Sequence, residues 1–136
     1  MKLRPGAVRS GVLTGLLGHL HRMLAASKAA ARIAAAAVPL LPGAAELAAA
    51  GYISGGTRAN TARMGPVTRL DSAVPAELAV LLYDAQTSGG LLLAAPVPAA
   101  PALLAGLRAL GLDAALIGDV TPGEPGHIEV LASGPE

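Results

Sequence analysis

Residues 84–93 strongly constrain the fold, because the run D-A-Q-T-S-G-G-L-L-L passes from polar groups through two glycines into three leucines. Paired glycines let the backbone turn tightly and aim N–H groups at an anion, and the neighbouring hydroxyls add further hydrogen-bond donors. The run predicts either a phosphate-binding loop or a polar turn that only leads into a buried strand at 91–95. The candidate binding residues are Gln86, Thr87, Ser88, Gly89 and Gly90.

A second glycine–hydroxyl segment, S-G-G-T-R-A-N, lies at residues 54–60. Its candidate binding residues are Gly55, Gly56, Thr57 and Asn60, which offer backbone N–H groups, a hydroxyl and an amide to phosphate oxygens. The alternative is a surface turn followed by a capped helix. No lysine follows the glycines, so the segment is not a Walker A loop.

The composition indicates a folded domain, because 53% of the 136 residues are hydrophobic and only 14% are charged. Phe and Trp are absent and Tyr52 and Tyr83 are the only aromatic residues, so the core depends on close packing around alanine. The net charge of +1, without a basic stripe, argues against a nucleic-acid partner. The absence of cysteine excludes disulfides and thiolate metal sites, and the three histidines lack metal-ligand spacing.

No membrane segment is expected from the sequence. Residues 85–107 carry no formal charge, but glycines and prolines interrupt them, so a continuous spanning helix is not predicted. The apolar run near the N-terminus is too short for a convincing signal peptide. We therefore expect a soluble, cytoplasmic protein.

Apolar spacing, glycines and prolines predict alternating helices and strands. Helices are expected at 14–26 with Thr14 as N-cap, at 43–50 ending at Gly51, from 71 or 72 with Pro75 near its first turn, and at 99–110 ending at Gly111. Strands are expected within 32–38 and at 67–70, 91–95, 114–120 and 127–131, the last two joined by a hairpin, while 52–64 is a loop running into a helical turn. This order predicts an α/β fold of the α+β type, a single domain with a mixed β-sheet flanked by helices.

Five motifs in order resemble selenophosphate synthetase (selenide, water dikinase) over about residues 14–131. They are L-L-G-H-L at 16–20, V-P-L-L-P-G-A at 38–44, G-G-T-x-x-N at 55–60, Q-T-S-G-G-L-L at 86–92 and I-G-x-V at 117–120. The resemblance implies the C-terminal domain of the aminoimidazole ribonucleotide synthetase-like superfamily. Aminoimidazole ribonucleotide synthetases themselves share that fold but not this set of motifs, so they are the second choice for the family that the chain resembles.

The resemblance also implies a reaction in which ATP, selenide and water give selenophosphate, AMP and phosphate, with magnesium and a homodimer. The family's catalytic Cys or selenocysteine, its lysine and its metal-binding aspartates lie mostly in an N-terminal half that has no counterpart here. The family reads D-V-T-G-F-G before the first motif, and its aspartate there is a metal ligand. An ungapped alignment places Ser10 at that aspartate, and an alignment with a two-residue deletion also supplies no acid. In addition, Ala85 replaces a proline of the family. We therefore assign no catalytic and no metal-binding residue, and interpret 1–13 as a divergent leader and 14–136 as the family domain.

We expect a C-terminal part of the enzyme that is inactive alone and binds phosphate through its two glycine–hydroxyl segments. Two alternatives stay open: a non-catalytic dimerisation or interaction domain, and one half of a split enzyme. The expected partners are accordingly an N-terminal-half domain or a second copy of the chain, with no nucleic acid and no membrane.

Overall fold

The computed structural model describes residues 14–86 and 89–134, which form alternating helices and strands. The helices are α1 (Leu16–Ser27), α2 (Ala44–Ala49), α3 (Gly55–Met64), α4 (Ala76–Leu82) and α5 (Ala100–Ala109). The strands are β1 (Ala30–Ala34), β2 (Thr68–Leu70), β3 (Gly118–Thr121) and β4 (Ile128–Leu131). Short 3-10 turns cover Ala35–Ala37, Gly65–Val67 and Val97–Ala99.

The four strands form one mixed sheet in the order β2-β4-β1-β3, which confirms the predicted fold class. β1 pairs in parallel with β4 and antiparallel with β3, and β2 pairs in parallel with β4. Parallel neighbours need a long crossover connection, and the helices between β1 and β4 supply it.

The predicted hairpin between the last two strands is wrong. β1 lies between β3 and β4, so the turn-rich segment 122–127 crosses the end of β1 and does not join neighbouring strands. The local signal for a tight turn is present, but the centre of the sheet is occupied by a strand from the other end of the chain. Short-range turn chemistry does not report such a long-range insertion.

The core lies between one face of the sheet and the helices. Ala31, Ile33, Ile128 and Val130 alternate along β1 and β4 with more exposed residues, and each is 4% exposed or less. They pack in one cluster with buried residues of the helices and the segments after them, which are Leu17, Leu20, Leu24, Met64, Leu82 and Tyr83. The alanines on the sheet let helix and strand backbones approach closely, as the aromatic-poor composition requires.

Several predicted boundaries differ from the structure. Gly15, not Thr14, is the N-cap residue of α1, and it makes no side-chain cap. The first strand ends at Ala34, and α4 begins only at Ala76, after Pro75. The predicted loop at 52–64 is largely helix α3.

The predicted strand at 91–95 is also wrong, because residues 89–96 form no helix or strand and the side chain of Leu91 is 90% exposed. By contrast, Gly51 and Gly111 follow α2 and α5 with φ angles of 88° and 76°. Only glycine adopts this left-handed conformation without strain, so their predicted role in ending those helices is confirmed.

Candidate functional site

The two glycine–hydroxyl segments lie side by side in the folded chain. Thr57 Oγ1 donates a hydrogen bond of 2.5 Å to Asp84 Oδ1, and Asn60 Nδ2 donates one of 3.0 Å to the carbonyl oxygen of Tyr83. Thr57 and Asn60 are only 2% and 5% exposed. Their side chains therefore join segment 54–60 to segment 83–90, and we call this pair of segments the joined motifs.

The first of these segments is the start of helix α3 and not an open loop, which corrects the interpretation of 52–64. Ser54 is the N-cap residue, and its Oγ accepts a hydrogen bond of 3.1 Å from the Thr57 N–H. Gly55 and Gly56 occupy the first turn and are exposed. Their N–H groups belong to the end of the helix where backbone donors lack intrahelical partners and the helix dipole is positive.

Gly56 is required for the two segments to meet. A Cβ added to Gly56 would lie 2.9 Å from the Cβ of Ala85, closer than real side chains approach one another. The N–H of Ala85 also points to Thr57 Oγ1 at 3.5 Å. The first turn of α3 is thus packed directly against the residue that follows Asp84.

The start of α1 reaches the same place. A Cβ on Gly15 would lie 2.5 Å from the carbonyl oxygen of Asp84, so the backbone of α1 packs against the joined motifs at this glycine. Nearby, Thr14 Oγ1 forms a hydrogen bond of 3.1 Å with His19 Nε2. His19 is half-buried at the edge of α1, and Gly18 lets the Thr14 side chain fold back over the first turn.

The second segment presents exposed polar groups. Gln86, Gly89 and Gly90 are exposed, and the Gln86 side chain turns back so that its Oε1 would be 2.6 Å from a Cβ on Gly89. Thr87 and Ser88 lie outside the described residues. Of the predicted binding residues, Gly55, Gly56, Gln86, Gly89 and Gly90 are therefore exposed, whereas the side chains of Thr57 and Asn60 are directed into the protein.

Tyr83, the first residue of segment 83–90, connects the joined motifs to the hydrophobic core. It is 3% exposed and belongs to the hydrophobic core, while its carbonyl oxygen accepts the Asn60 hydrogen bond. Burial raises the pKa of the Tyr83 phenol above its ordinary value, because the phenolate would lose its hydration. The side chain is therefore a neutral core residue at physiological pH.

Three structural contacts escaped sequence reasoning. Asp84 is the partner of Thr57, the Tyr83 carbonyl is the partner of Asn60, and Gly15 lies against Asp84. The sequence signal for these contacts was Asp84 at the start of segment 84–90, together with Thr57 and Asn60, which lie three residues apart on one face of a helix. Nothing local to these residues reveals that they meet.

Within residues 14–86 and 89–134, no group of three or more His, Cys, Asp or Glu side chains is placed to hold a metal ion. In the same part of the chain, no helix combines the length and apolar character needed to span a bilayer.

Comparison with known proteins places this fold in a family. The model of the "AIR synthase related protein, C-terminal domain" family matches residues 14–130. That match covers most of the chain, so the chain belongs to this family, and the mixed sheet with its helices is the expected architecture.

Within that family the similar proteins are selenide, water dikinases. The protein from Myxococcus xanthus (strain DK1622) is 43% identical over 112 residues, covering 82% of this chain and 32% of the relative. The proteins from Escherichia coli (strain K12) and Pelobacter propionicus are 39% and 43% identical over 116 and 107 residues, covering 33% and 31% of those relatives. The resemblance inferred from the five motifs is confirmed, and the chain spans about a third of the length of these relatives.

Proposed function

We propose that this chain serves as the C-terminal domain of a selenide, water dikinase and faces the phosphates of ATP with its joined motifs. The observation that carries the proposal is the contact between Thr57 and Asp84, which brings two glycine-rich segments, distant in sequence, to one surface. Family membership and identities of about 40% to selenide, water dikinases support the assignment. The proposed reaction converts ATP, selenide and water to selenophosphate, AMP and phosphate in the cytoplasm.

In this proposal the backbone of the first α3 turn meets the anion. The N–H groups of Gly55 and Gly56 lie at the positive end of a ten-residue helix, and both residues are exposed. Gln86, Gly89 and Gly90 of the second segment add further exposed polar and backbone groups, and Thr87 and Ser88 belong to the same segment of the sequence. Thr57 and Asn60 act as positioning residues, because their hydrogen bonds go to Asp84 and Tyr83.

The joined motifs fit the phosphate part of ATP better than they fit magnesium. Backbone N–H groups and hydroxyls suit phosphate oxygens, whereas magnesium prefers carboxylates in near-octahedral arrangement. Asp84 Oδ1 already accepts the Thr57 hydrogen bond, and the described residues offer no cluster of acids beside it. The described residues of the joined motifs therefore offer magnesium no set of carboxylate ligands.

Phosphoryl transfer depends on positioning and on neutralising charge around the transferred group. A chain that spans about a third of its relatives presents part of such a site, so we expect the 136-residue chain alone to bind ATP without consuming it. A phosphate-release assay with ATP and selenide tests this. Sustained release above the protein-free background would contradict it.

Binding is tested on the isotope-labelled full chain by NMR titration with ATP. We expect saturable shifts of the backbone amides of Gly55, Gly56, Gly89 and Gly90. The variant Gly55→Asp should lose binding, because a carboxylate would repel phosphate from the helix end. Gly55→Ala is the matched control that should retain it, since an added Cβ at this position meets no atom within 4 Å. Unshifted glycine amides at high ATP, or equal binding by both variants, would remove the joined motifs as the phosphate site.

A second candidate function is an interaction domain, and the exposed apolar residues of segment 91–116 favour it. They are Leu91, Leu93, Val97, Leu103, Leu110, Leu112 and Leu116, with exposures from 40% to 90%. The partner would be another part of a longer family chain, a separate N-terminal-half subunit or a second copy, as in a homodimer. Light scattering at micromolar concentration tests these partners. A dimeric mass of the chain alone supports self-association. A monomeric mass that does not increase when an N-terminal-half protein is added opposes an interaction role.

A further inference from the structure

A depression between α1 and α3 is lined by two arginines and, among the described residues, by no acid. It has a volume of about 260 Å³ and is lined by Thr14, Gly18, His21, Arg22 and Arg63, with Met64 among its apolar walls. None of the described lining residues is acidic. Arg63 follows Thr57 by six residues on α3, about 9 Å along the helix axis, so this arginine lies outside the joined motifs. The depression also reaches Thr14, whose neighbour Gly15 packs against Asp84.

Arg22 and Arg63 supply the positive charge of this depression. Among the described residues, neither Arg22 nor Arg63 takes part in an ion pair or a side-chain hydrogen bond. Both are exposed, so their guanidinium groups are charged and accessible. A planar guanidinium offers paired N–H donors that match the oxygens of a phosphate or a carboxylate.

A second depression provides an internal comparison. It has a similar volume of about 270 Å³, lies on the open face of the sheet, and also contains two arginines, Arg32 and Arg69. There, however, Glu129 accepts a hydrogen bond of 2.8 Å from Arg32 and lies 3.3 Å from Arg69. Glu129 compensates one of these two positive charges, whereas no described acid pairs with Arg22 or Arg63.

The walls of the α1–α3 depression are held in place by their own contacts. His21 Nδ1 donates a hydrogen bond of 2.9 Å to the carbonyl oxygen of Gly126, which fixes the ring and leaves Nε2 for another partner. Gly126 has φ of 85°, and a Cβ there would lie 2.8 Å from the ring, so this contact requires glycine. Gly18 is packed against Thr14, since a Cβ at this position would lie 2.9 Å from the Thr14 Cβ, so this wall of the depression also requires glycine.

We propose that the α1–α3 depression binds a small oxyanion of the phosphate or pyrophosphate class through Arg22 and Arg63. The volume lies below the roughly 300–1,000 Å³ typical of pockets for drug-sized ligands, so the site accepts a small anion and not a whole nucleotide. It is a second anion site of the domain and does not depend on the proposed function of the joined motifs.

The test is a titration of the isotope-labelled full chain with sodium pyrophosphate, and separately with phosphate, at constant ionic strength. We expect saturable amide shifts around Gly18, Arg22 and Arg63. Arg22→Gln and Arg63→Gln should each weaken pyrophosphate binding about tenfold, the effect of losing one charge-assisted hydrogen bond. Both arginines are exposed, so neither variant should disturb the core.

Two controls separate this site from general charge effects and from the joined motifs. Arg32→Gln removes one positive charge beside Glu129 and should leave pyrophosphate binding unchanged. Gly55→Asp should abolish ATP-dependent shifts at the joined motifs while leaving pyrophosphate binding at the depression intact. The proposal is overturned if the parent shows no saturable shifts there, if both arginine variants bind like the parent, or if Arg32→Gln weakens binding equally.

Discussion

The hydroxyl of Thr57 donates a hydrogen bond of 2.5 Å to the carboxylate of Asp84, which lies 27 residues further along the chain. Both residues come from glycine-containing segments, and the bond fixes the start of α3 against the segment that follows α4. Because Thr57 is 2% exposed, water does not compete for this hydroxyl. The contact therefore contributes both to stability and to the shape of the proposed phosphate-facing surface.

Replacing Thr57 with valine tests that contribution. The variant keeps the shape of the side chain but removes the donor, and a hydrogen bond to a charged group contributes about 1.5–3 kcal/mol. We expect the free energy of unfolding, measured by urea denaturation, to fall by about that amount. Thr61→Val is the matched control on the same helix, because the Thr61 hydroxyl is exposed and bonds only the Thr57 carbonyl oxygen. Equal losses in the two variants would contradict a special role for the Thr57–Asp84 bond.

The close approach at Gly15 gives a second prediction. Gly15→Ala places a Cβ against the Asp84 carbonyl, and backbone shifts forced by overpacking cost about 1–3 kcal/mol. Gly106→Ala should instead increase the stability, since Gly106 lies inside α5 with no atom within 4 Å of an added Cβ. Alanine there should stabilise the helix by up to about 1 kcal/mol. Thermal unfolding of both variants checks this, and a Gly15→Ala protein as stable as the parent would show that α1 does not pack where the structure has it.

The buried Tyr83 phenol predicts a loss of stability in alkali. Burial raises its pKa above the ordinary value of 10.0, so the unfolded chain loses this proton at lower pH than the folded chain. The contribution of the protonated Tyr83 phenol to the free energy of unfolding is fully present below pH 10. It is lost as the pH rises from there through the raised pKa. Urea denaturation across this range should show the fall in Tyr52→Phe, which retains Tyr83, and a smaller fall in Tyr83→Phe. The same decline in both variants would contradict the assignment.

Core packing gives the fourth prediction. Leu17 is 0% exposed and contacts the central cluster, so Leu17→Ala should lower the free energy of unfolding by about 2–5 kcal/mol. Leu110 follows α5 and is 77% exposed, so Leu110→Ala should change it little. Denaturation of both proteins at low concentration makes the comparison. A large loss for Leu110→Ala would mean that this leucine is covered, and would favour the interaction-domain function.

Residue patterns predicted the fold class and many elements. Helical spacing of leucines placed α1 and α5, and Gly51 and Gly111 marked the ends of α2 and α5. These features succeed because a glycine φ angle and a 3.6-residue apolar repeat are local properties. The strand predicted at 91–95 was wrong because that prediction also used only local properties. Three leucines favour a strand locally, but the described residues there have no pairing partner.

The sequence by itself determined the family, the helix–strand alternation and the two glycine–hydroxyl segments, because each is written in residues close together along the chain. Only the tertiary structure decided that Thr57 reaches Asp84, that β1 lies between β3 and β4, and that Arg22 and Arg63 line one depression. Each of these depends on how helices and strands pack across long sequence separations. Such packing is set by the shape of the whole core, and no local pattern of residues encodes it.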